Sequence, residues 1–278
     1  MNVQNQISTR VALDLYLDQL QTQDLTPSTL KMVQAHLRAF HNWLGAREPT
    51  AQAGQQYLAE LRARGYKRAT LRSYYYSIKP YFAYLEIPFK LRLRKERRLP
   101  RYHSRDDISR ILDVISQRAD VWAKLKDRDR LIITTLAQSG LRRAELLNLK
   151  CRDVREGCLF VYSGKGDKDR TALIPRKLSL ELLDYIRDKG LGLMDRLFPI
   201  GKSRLDTLVK GYALKAGISD LTTHGLRHYF ATRLLEVGVN LKNIQELMGH
   251  ADIRTTAVYL DVIPDHLRQT VELLEEEK

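Results

Sequence analysis

Six side chains that could carry out chemistry on a phosphate occur in four short motifs of this chain. The motifs are SGLRRAELLNL, SGKGDKDR, THGLRHYFATRLLEVG and MGHADIRTTAVYLDV, and the side chains are Arg142, Lys165, His224, Arg227, His250 and Tyr259. Arginine matches phosphate oxygens with paired hydrogen bonds, while lysine and histidine can move protons near neutral pH. A tyrosine with its ordinary pKa of ~10 becomes a nucleophile only when cations and a base assist it. Together these residues predict phosphoryl transfer onto a tyrosine.

Each motif taken alone has a plainer explanation. Arg142 and Glu145, one turn apart, could be a surface ion pair, and Lys165 between two glycines could be an exposed turn residue. His224 and His228 have the spacing of two zinc ligands on a helix, but HGLRH lacks the glutamate of the zinc-protease motif and its arginine would repel a metal. Because no carboxylate cluster for Mg²⁺ is evident, we expect cationic side chains to replace metals and no cofactor to be needed.

The charge of the chain indicates a polyanionic partner. The 278 residues carry a formal net charge of +14, with a pI near 9.7, which favours nucleic acid over a membrane surface. The segment 62–98 contains 12 basic residues against two acidic ones. No apolar run approaches the roughly 20 residues of a membrane span, and two cysteines offer no disulfide framework. We therefore expect a cytoplasmic protein that binds double-stranded DNA and no membrane.

The first part of the chain, residues 1–90, predicts a domain of four helices that binds DNA. Apolar residues recur at helical spacing in all four, with the stripe of the second helix at Leu30, Val33, Leu37, Phe40 and Leu44. The fourth helix, which Pro80 should kink, combines an apolar face with a basic, tyrosine-rich one. The candidate DNA contacts are Lys67, Arg68, Arg72 and Lys79.

A basic linker at 91–103 and a catalytic domain at 104–278 are predicted to follow. Ser104 and Asp107 form a capping box at the start of the second domain. The stretch 153–175 contains two β-rich runs joined by a glycine-rich turn, which predicts a hairpin, and the rest reads as helices that end at glycines. In THGLRHYFATRLLEVG the expected core-facing residues are Leu226, Phe230, Leu234 and Val237. The predicted fold is mostly α-helical with a small antiparallel sheet.

The four motifs, in this order, resemble the tyrosine recombinase (phage integrase) family. The matching pieces are G-L-R-x-x-E-L, G-K-G, H-x-L-R-H and G-H-x-x-x-x-T-T-x-x-Y, and the basic helical N-terminal region resembles the core-binding domain of that family. The resemblance implies that Tyr259 attacks the scissile phosphate to form a 3′-phosphotyrosyl link. It implies that Arg142, Arg227 and His250 stabilise the pentacoordinate state, that Lys165 protonates the leaving 5′-oxygen and that His224 assists removal of the tyrosine proton.

The same resemblance implies site-specific recombination by a tetramer on DNA, through a Holliday junction and without a cofactor. A second, related recombinase could share that tetramer. The short chain resembles compact Xer-like members, which resolve chromosome or plasmid dimers, and simple mobile-element recombinases. The segment 264–278 would dock on a neighbouring subunit or fold back on its own domain. Two other functions stay open, namely nicking and religation of one strand, as in type IB topoisomerases, and DNA binding without catalysis.

Overall fold

A computed structural model describes residues 3–93, 101–119, 123–162 and 169–249 of the chain, with the backbone alone at residues 3–10 and 123. The chain divides into two compact units, Met1–Arg98 and Leu99–Lys278. This division falls inside the segment predicted as a linker. Among the residues singled out from the sequence, Lys165, His250 and Tyr259 lie outside the described residues, as does the segment 264–278.

The first unit contains the four helices that the sequence predicts. They are α1 (Val3–Gln21), α2 (Pro27–Leu44), α3 (Ala51–Ala63) and α4 (Arg68–Tyr84). Helix α2 begins where the Thr26 hydroxyl accepts a hydrogen bond from the Thr29 N–H at 3.2 Å, with Pro27 as its first residue, a position that needs no N–H. Helix α4 continues through Pro80 to its end at Tyr84.

The core of this unit consists of the apolar stripes and a set of packed aromatic rings. Leu37, Phe40 and Leu44 of α2 are buried, and Leu30 and Val33 of the same predicted stripe are partly buried. From the other helices the core takes Leu13, Tyr16, Leu17, Leu20, Tyr57, Leu58, Leu61, Leu71, Tyr75, Ile78, Tyr81 and Phe82. Because α4 contributes only one face to this core, its opposite face is left to solvent.

The second unit contains seven helices in its described residues. They are α5 (Arg105–Ser116), α6 (Lys126–Ser139), α7 (Arg143–Asn148), α8 (Arg176–Asp188), α9 (Lys202–Lys215), α10 (Thr223–Glu236) and α11 (Leu241–Met248). The predicted capping box is present at the start of α5: the Ser104 N–H donates to Asp107 Oδ2 at 2.9 Å, and the Asp107 N–H donates to Ser104 Oγ at 3.1 Å. Short 3₁₀ helices lie at Ala123–Leu125 and Cys151–Asp153.

A three-stranded antiparallel sheet packs against these helices. Its strands are β1 (Val154–Arg155), β2 (Cys158–Val161) and β3 (Arg170–Leu173), in the order β1-β2-β3. Leu159 pairs with Ala172 and Val161 pairs with Arg170. Since side chains alternate across a strand, Arg170 lies on the same face as the buried Ala172. In the sequence, Lys165 falls between β2 and β3, among residues that the structure does not describe.

The core of the second unit confirms most of the predicted apolar face of α10 and corrects one residue. Leu226 and Phe230 are buried and Leu234 is partly buried, but Val237 is 62% exposed. Helix α10 ends at Glu236, so Val237 is the first residue beyond it and no longer follows the helical period. Of the helices that the structure describes, none is long and apolar enough to span a membrane.

Candidate active site

Gly140, between α6 and α7, brings the first candidate motif next to α10. Its backbone is left-handed, with φ +62°, which a glycine adopts without strain. A Cβ atom at this position would come within 2.6 Å of the Phe230 ring on α10. The close approach lets the Gly140 carbonyl accept a hydrogen bond from Arg227 Nη1 at 2.5 Å.

Arg142 and Glu145 form the contact that the sequence indicates at the start of α7. Arg142 Nη1 donates to Glu145 Oε1 at 2.9 Å, and the backbone N–H of Arg142 donates to Oε2 at 2.7 Å. The neighbouring Arg143 points elsewhere: its Nη1 donates to Asp206 on α9 at 2.6 Å, and Asp206 also accepts from the Thr223 hydroxyl at the start of α10. The Glu145 side chain is 7% exposed, so this is a buried carboxylate rather than a surface ion pair.

Arg227 lies deeper than a surface arginine on α10 would. It is 2% exposed. Besides its bond to Gly140, its Nη2 donates to the Met248 carbonyl at 2.7 Å, and its Nη1 lies 3.9 Å from Glu145 Oε2. A buried arginine must have acceptors for its donors, and helix ends supply them here.

The C-terminal carbonyls of α11 bring three arginines together. In consecutive order, the carbonyl of Leu247 accepts from Arg170 Nη1 at 3.1 Å, that of Met248 from Arg227, and that of Gly249 from Arg142 Nη2 at 3.1 Å. The last carbonyls of a helix have no partner within the helix and carry the negative end of its dipole. They are therefore suited to hold cations, and His250 directly follows them in the sequence.

Glu145 contacts the same three guanidinium groups, which we call the arginine cluster (Arg142, Arg170 and Arg227). Arg170 Nη2 donates to Glu145 Oε2 at 3.0 Å. Burial acts to raise the pKa of the Glu145 carboxyl, but the Arg142 N–H and the charges of Arg170 and Arg142 outweigh it and lower that pKa below its ordinary value. The carboxyl is thus ionised at neutral pH, and among the described residues its one negative charge stands against three positive ones.

His224 lies in the first turn of α10, where Thr222 caps the helix by accepting the Gly225 N–H at 3.0 Å. Its ring meets that of His228 edge to face, with 4.3 Å between centroids. Partial burial of the ring, with the Arg227 charge as a second cause, lowers the pKa of His224. The imidazole is therefore largely neutral at neutral pH and able to accept a proton.

The four candidate DNA contacts lie at the start and along the outer face of α4. Lys67 precedes the helix, and Arg68, Arg72 and Lys79 follow at helical spacing away from the core. Lys67, Arg68 and Lys79 are exposed. The Arg72 guanidinium lies 5.7 Å from the ring centre of Tyr76, which is itself 58% exposed. Basic groups and an accessible aromatic ring thus share one surface.

Arg170 is the member of the cluster that was not predicted from the sequence. One signal was available: in the alternation Arg170, Ala172, Ile174, an arginine occupies a position whose neighbours in the pattern are apolar and buried. A charged residue on the inner face of a strand requires a buried partner. Its partners, Glu145 and the Leu247 carbonyl, are distant in sequence and could not be identified without the fold.

Comparison with known proteins identifies the class. Tyrosine recombinase XerA of Thermococcus kodakarensis is 35% identical over 275 residues, which cover 93% of this chain and 92% of that protein. Tyrosine recombinase XerD of Yersinia pestis is 30% identical and covers 92% of this chain and 94% of its own length. The crystal structure of XerH bound to a palindromic difH substrate superposes with a TM-score of 0.72, covering 88% of this chain and 80% of that one at 22% identity, which shows a shared fold.

Family models match both units. The model described as the phage integrase family matches residues 101–266, and that of the phage integrase N-terminal SAM-like domain matches residues 13–87. The chain belongs to the phage integrase family of tyrosine recombinases, as the four motifs suggested.

Proposed function

We propose that this chain is a site-specific DNA recombinase that cleaves and rejoins strands through a 3′-phosphotyrosyl link on Tyr259. The observation that carries the proposal is the arginine cluster, in which Arg142 and Arg227 meet at the end of α11, directly before His250. Family membership and the order of the motifs support the same assignment. Counted over the described residues, the cluster and Glu145 together carry an excess of positive charge, which suits a phosphate site.

In the proposed reaction the phenol oxygen of Tyr259 attacks phosphorus, and the bond between phosphorus and the 5′-oxygen breaks. His224 accepts the phenol proton, and Lys165 donates a proton to the departing 5′-oxygen. Arg142, Arg227 and His250 stabilise the charge on the pentacoordinate phosphate. Attack by a 5′-hydroxyl reverses the steps and releases the tyrosine. The lowered pKa of His224 supports its role, because a base must be unprotonated to act.

We further propose that the outer face of α4 binds DNA through Lys67, Arg68, Arg72 and Lys79. Three of these residues are exposed, and three follow one another at helical spacing along α4, which supports contacts to successive phosphates or to base edges. The basic segment 91–103 would follow the DNA backbone as the chain passes from the predicted domain 1–90 to the predicted domain 104–278. These contacts would give affinity, while the arginine cluster would act on the scissile phosphate.

Recombination by this family implies four subunits on two DNA sites, and we propose that assembly, with segment 264–278 docking on a neighbour and a second recombinase as an optional partner. The XerA and XerD relatives favour an Xer-like role in the cytoplasm, either resolution of chromosome dimers or recombination of a mobile element. The reaction would need no metal or other cofactor, because cationic side chains supply the charge.

The test is covalent trapping on a duplex that carries the recombination site with a nick near the cleavage position. Wild type should form an adduct that survives SDS, and Tyr259→Phe should bind the same DNA and form none. Tyr162→Phe is the matched control, because Tyr162 is an exposed tyrosine of the second unit whose ring contacts Arg152, and the phenylalanine keeps that ring. An adduct with Tyr259→Phe would refute the assignment, and binding without an adduct in wild type would leave a DNA-binding protein. If the covalent link forms but is resolved only by rejoining the same strand, the topoisomerase-like alternative would be favoured.

A further inference from the structure

Arg170 is largely buried in the second unit and contacts both Glu145 and the end of α11. Its Nη2 donates to Glu145 and its Nη1 to the Leu247 carbonyl, so one side chain joins α7 to α11. The side chain is 13% exposed, and its Nε is buried without a hydrogen-bond partner in the described part of the chain. Such a costly placement for a charged group calls for a reason beyond the stability of the sheet.

The backbone of Gly249 shows how closely α11 fits over this arginine. A Cβ atom at position 249 would come within 2.7 Å of Arg170 Cδ and 3.0 Å of its Nε. Gly249 also has a left-handed φ of +62°, which ends the helix. The end of α11 therefore lies directly on Arg170, and the position of its last carbonyls depends on where that side chain lies.

Glu145 is shared among the cluster in a way that Arg170 controls. Arg170 Nη2 occupies Oε2 at 3.0 Å, while Arg227 Nη1 remains 3.9 Å from the same oxygen and donates instead to the Gly140 carbonyl. Without Arg170, Oε2 would lose a charged donor, and the Arg227 guanidinium would be drawn towards the carboxylate. A phosphate that needs Arg227 would then compete with Glu145 for it.

We propose that Arg170 is a positioning residue for strand cleavage: it fixes Glu145 and the end of α11 so that Arg142 and Arg227 face the scissile phosphate. This inference rests on the proposed function. Arg170 acts through the two arginines and touches neither the DNA nor the leaving group. A misplacement of about 1 Å in catalytic groups costs roughly 10²-fold in rate, so we expect a loss of that order when Arg170 is removed.

The experiment measures single-turnover cleavage at saturating DNA, with the dissociation constant and thermal unfolding recorded for each variant. Arg170→Met should cleave about 100-fold more slowly with unchanged DNA affinity. Arg176→Met is the matched control and should cleave like wild type, because Arg176 follows the same strand and holds Glu156 in an exposed ion pair. Arg170→Lys keeps the charge but not the fork that reaches two acceptors, so its rate should fall between the two.

Two further comparisons identify the route of the effect. In a double-mutant cycle, Arg170→Met should have less effect in a Glu145→Gln background than in wild type, because both act through the same carboxylate. A substrate with sulfur at the bridging 5′ position, whose leaving group needs no proton, should not rescue Arg170→Met. Rescue, or fully multiplicative losses in the cycle, would overturn the inference, since Arg170 would then serve Lys165 or act alone.

Wild-type rates for Arg170→Met would also overturn it, as would a loss of affinity that accounts for the whole effect. If Arg170→Met does not fold, Arg170→Lys decides: slower cleavage at unchanged affinity supports the inference, and a wild-type rate refutes it. An absent adduct in wild type would instead refute the proposed function itself, so the two failures are distinguishable.

Discussion

The substitution Glu145→Gln tests the electrostatic design of the site without any DNA. It keeps the size of the side chain and removes the carboxylate that, within the described part of the chain, the three members of the arginine cluster share. The amide that replaces the carboxylate could still accept one or two hydrogen bonds. It could not balance guanidinium groups of which Arg170 and Arg227 are almost wholly buried.

The magnitude follows from burial. Removing one partner of a buried ion pair leaves an uncompensated charge and costs about 3–5 kcal/mol. The α11 carbonyls continue to hold all three guanidinium groups, so we expect a loss near the lower end, about 3 kcal/mol. The matched control is Glu181→Gln, which removes a glutamate from the partly exposed pair with Arg130 and should cost no more than about 1 kcal/mol.

The assay is urea unfolding of wild type and both variants, repeated across pH. The lowered pKa of Glu145 means that its contribution to the free energy of unfolding is complete above the pKa of an unfolded glutamate, about 4.3, and is lost as pH falls through the lower folded value. The difference between wild type and Glu145→Gln should therefore be full at pH 7 and shrink below pH ~4. A difference below about 0.5 kcal/mol at pH 7, or one independent of pH, would contradict buried charge balance at this carboxylate.

Four other substitutions test the proposed roles. In wild type at subsaturating DNA, the cleavage rate should fall with pH below pH ~6.5, because the pKa of His224 is lowered and a base fails once it is protonated. His224→Asn should remove this acidic limb from the pH–rate profile. If the limb survives in the variant, another group is the base. Lys165→Ala should slow cleavage far more than binding and should regain most of its rate on the 5′-sulfur substrate, and no recovery would exclude Lys165 as the general acid. Arg68→Ala and Arg72→Ala should each lower the salt dependence of affinity by roughly 0.9 log–log units per phosphate contact or relax sequence choice, whereas unchanged binding in both would place the DNA elsewhere on this unit.

The helices could be predicted from the sequence because local rules decide them. The apolar stripe of α2, its Thr26 cap and the capping box of α5 depend on residues within one or two turns of each other. Val237 marks the limit of that reasoning. Its spacing continues the apolar period of α10, but the helix ends one residue earlier and Gly238 turns the chain with φ +81°. The apolar pattern alone therefore predicted a helix that is too long.

Within the site, a contact could again be predicted only where its two residues lie close together in the sequence. Arg142 and Glu145 lie three positions apart at one helix start, and the sequence indicates their contact directly. The depth of Arg227 was not predictable, because its acceptors are the carbonyls of Gly140 and Met248, 87 and 21 residues away. A motif shows which side chains are present, whereas burial depends on which helix ends converge on them.

The three arginines bound at the end of α11 also show why backbone acceptors could not be predicted from the sequence. Any residue type at positions 247 and 248 would present the same carbonyl, so nothing in their identity marks them as acceptors for Arg170 and Arg227. Only Gly249 leaves a trace, because its left-handed φ and the nearby Arg170 side chain exclude a Cβ. A helix end holds cations through carbonyls that have no partner within the helix, so the geometry of α11 decides where the three guanidinium groups lie. Gly249 therefore matters to the site because it lets the end of α11 approach Arg170 and present its carbonyls to the arginines.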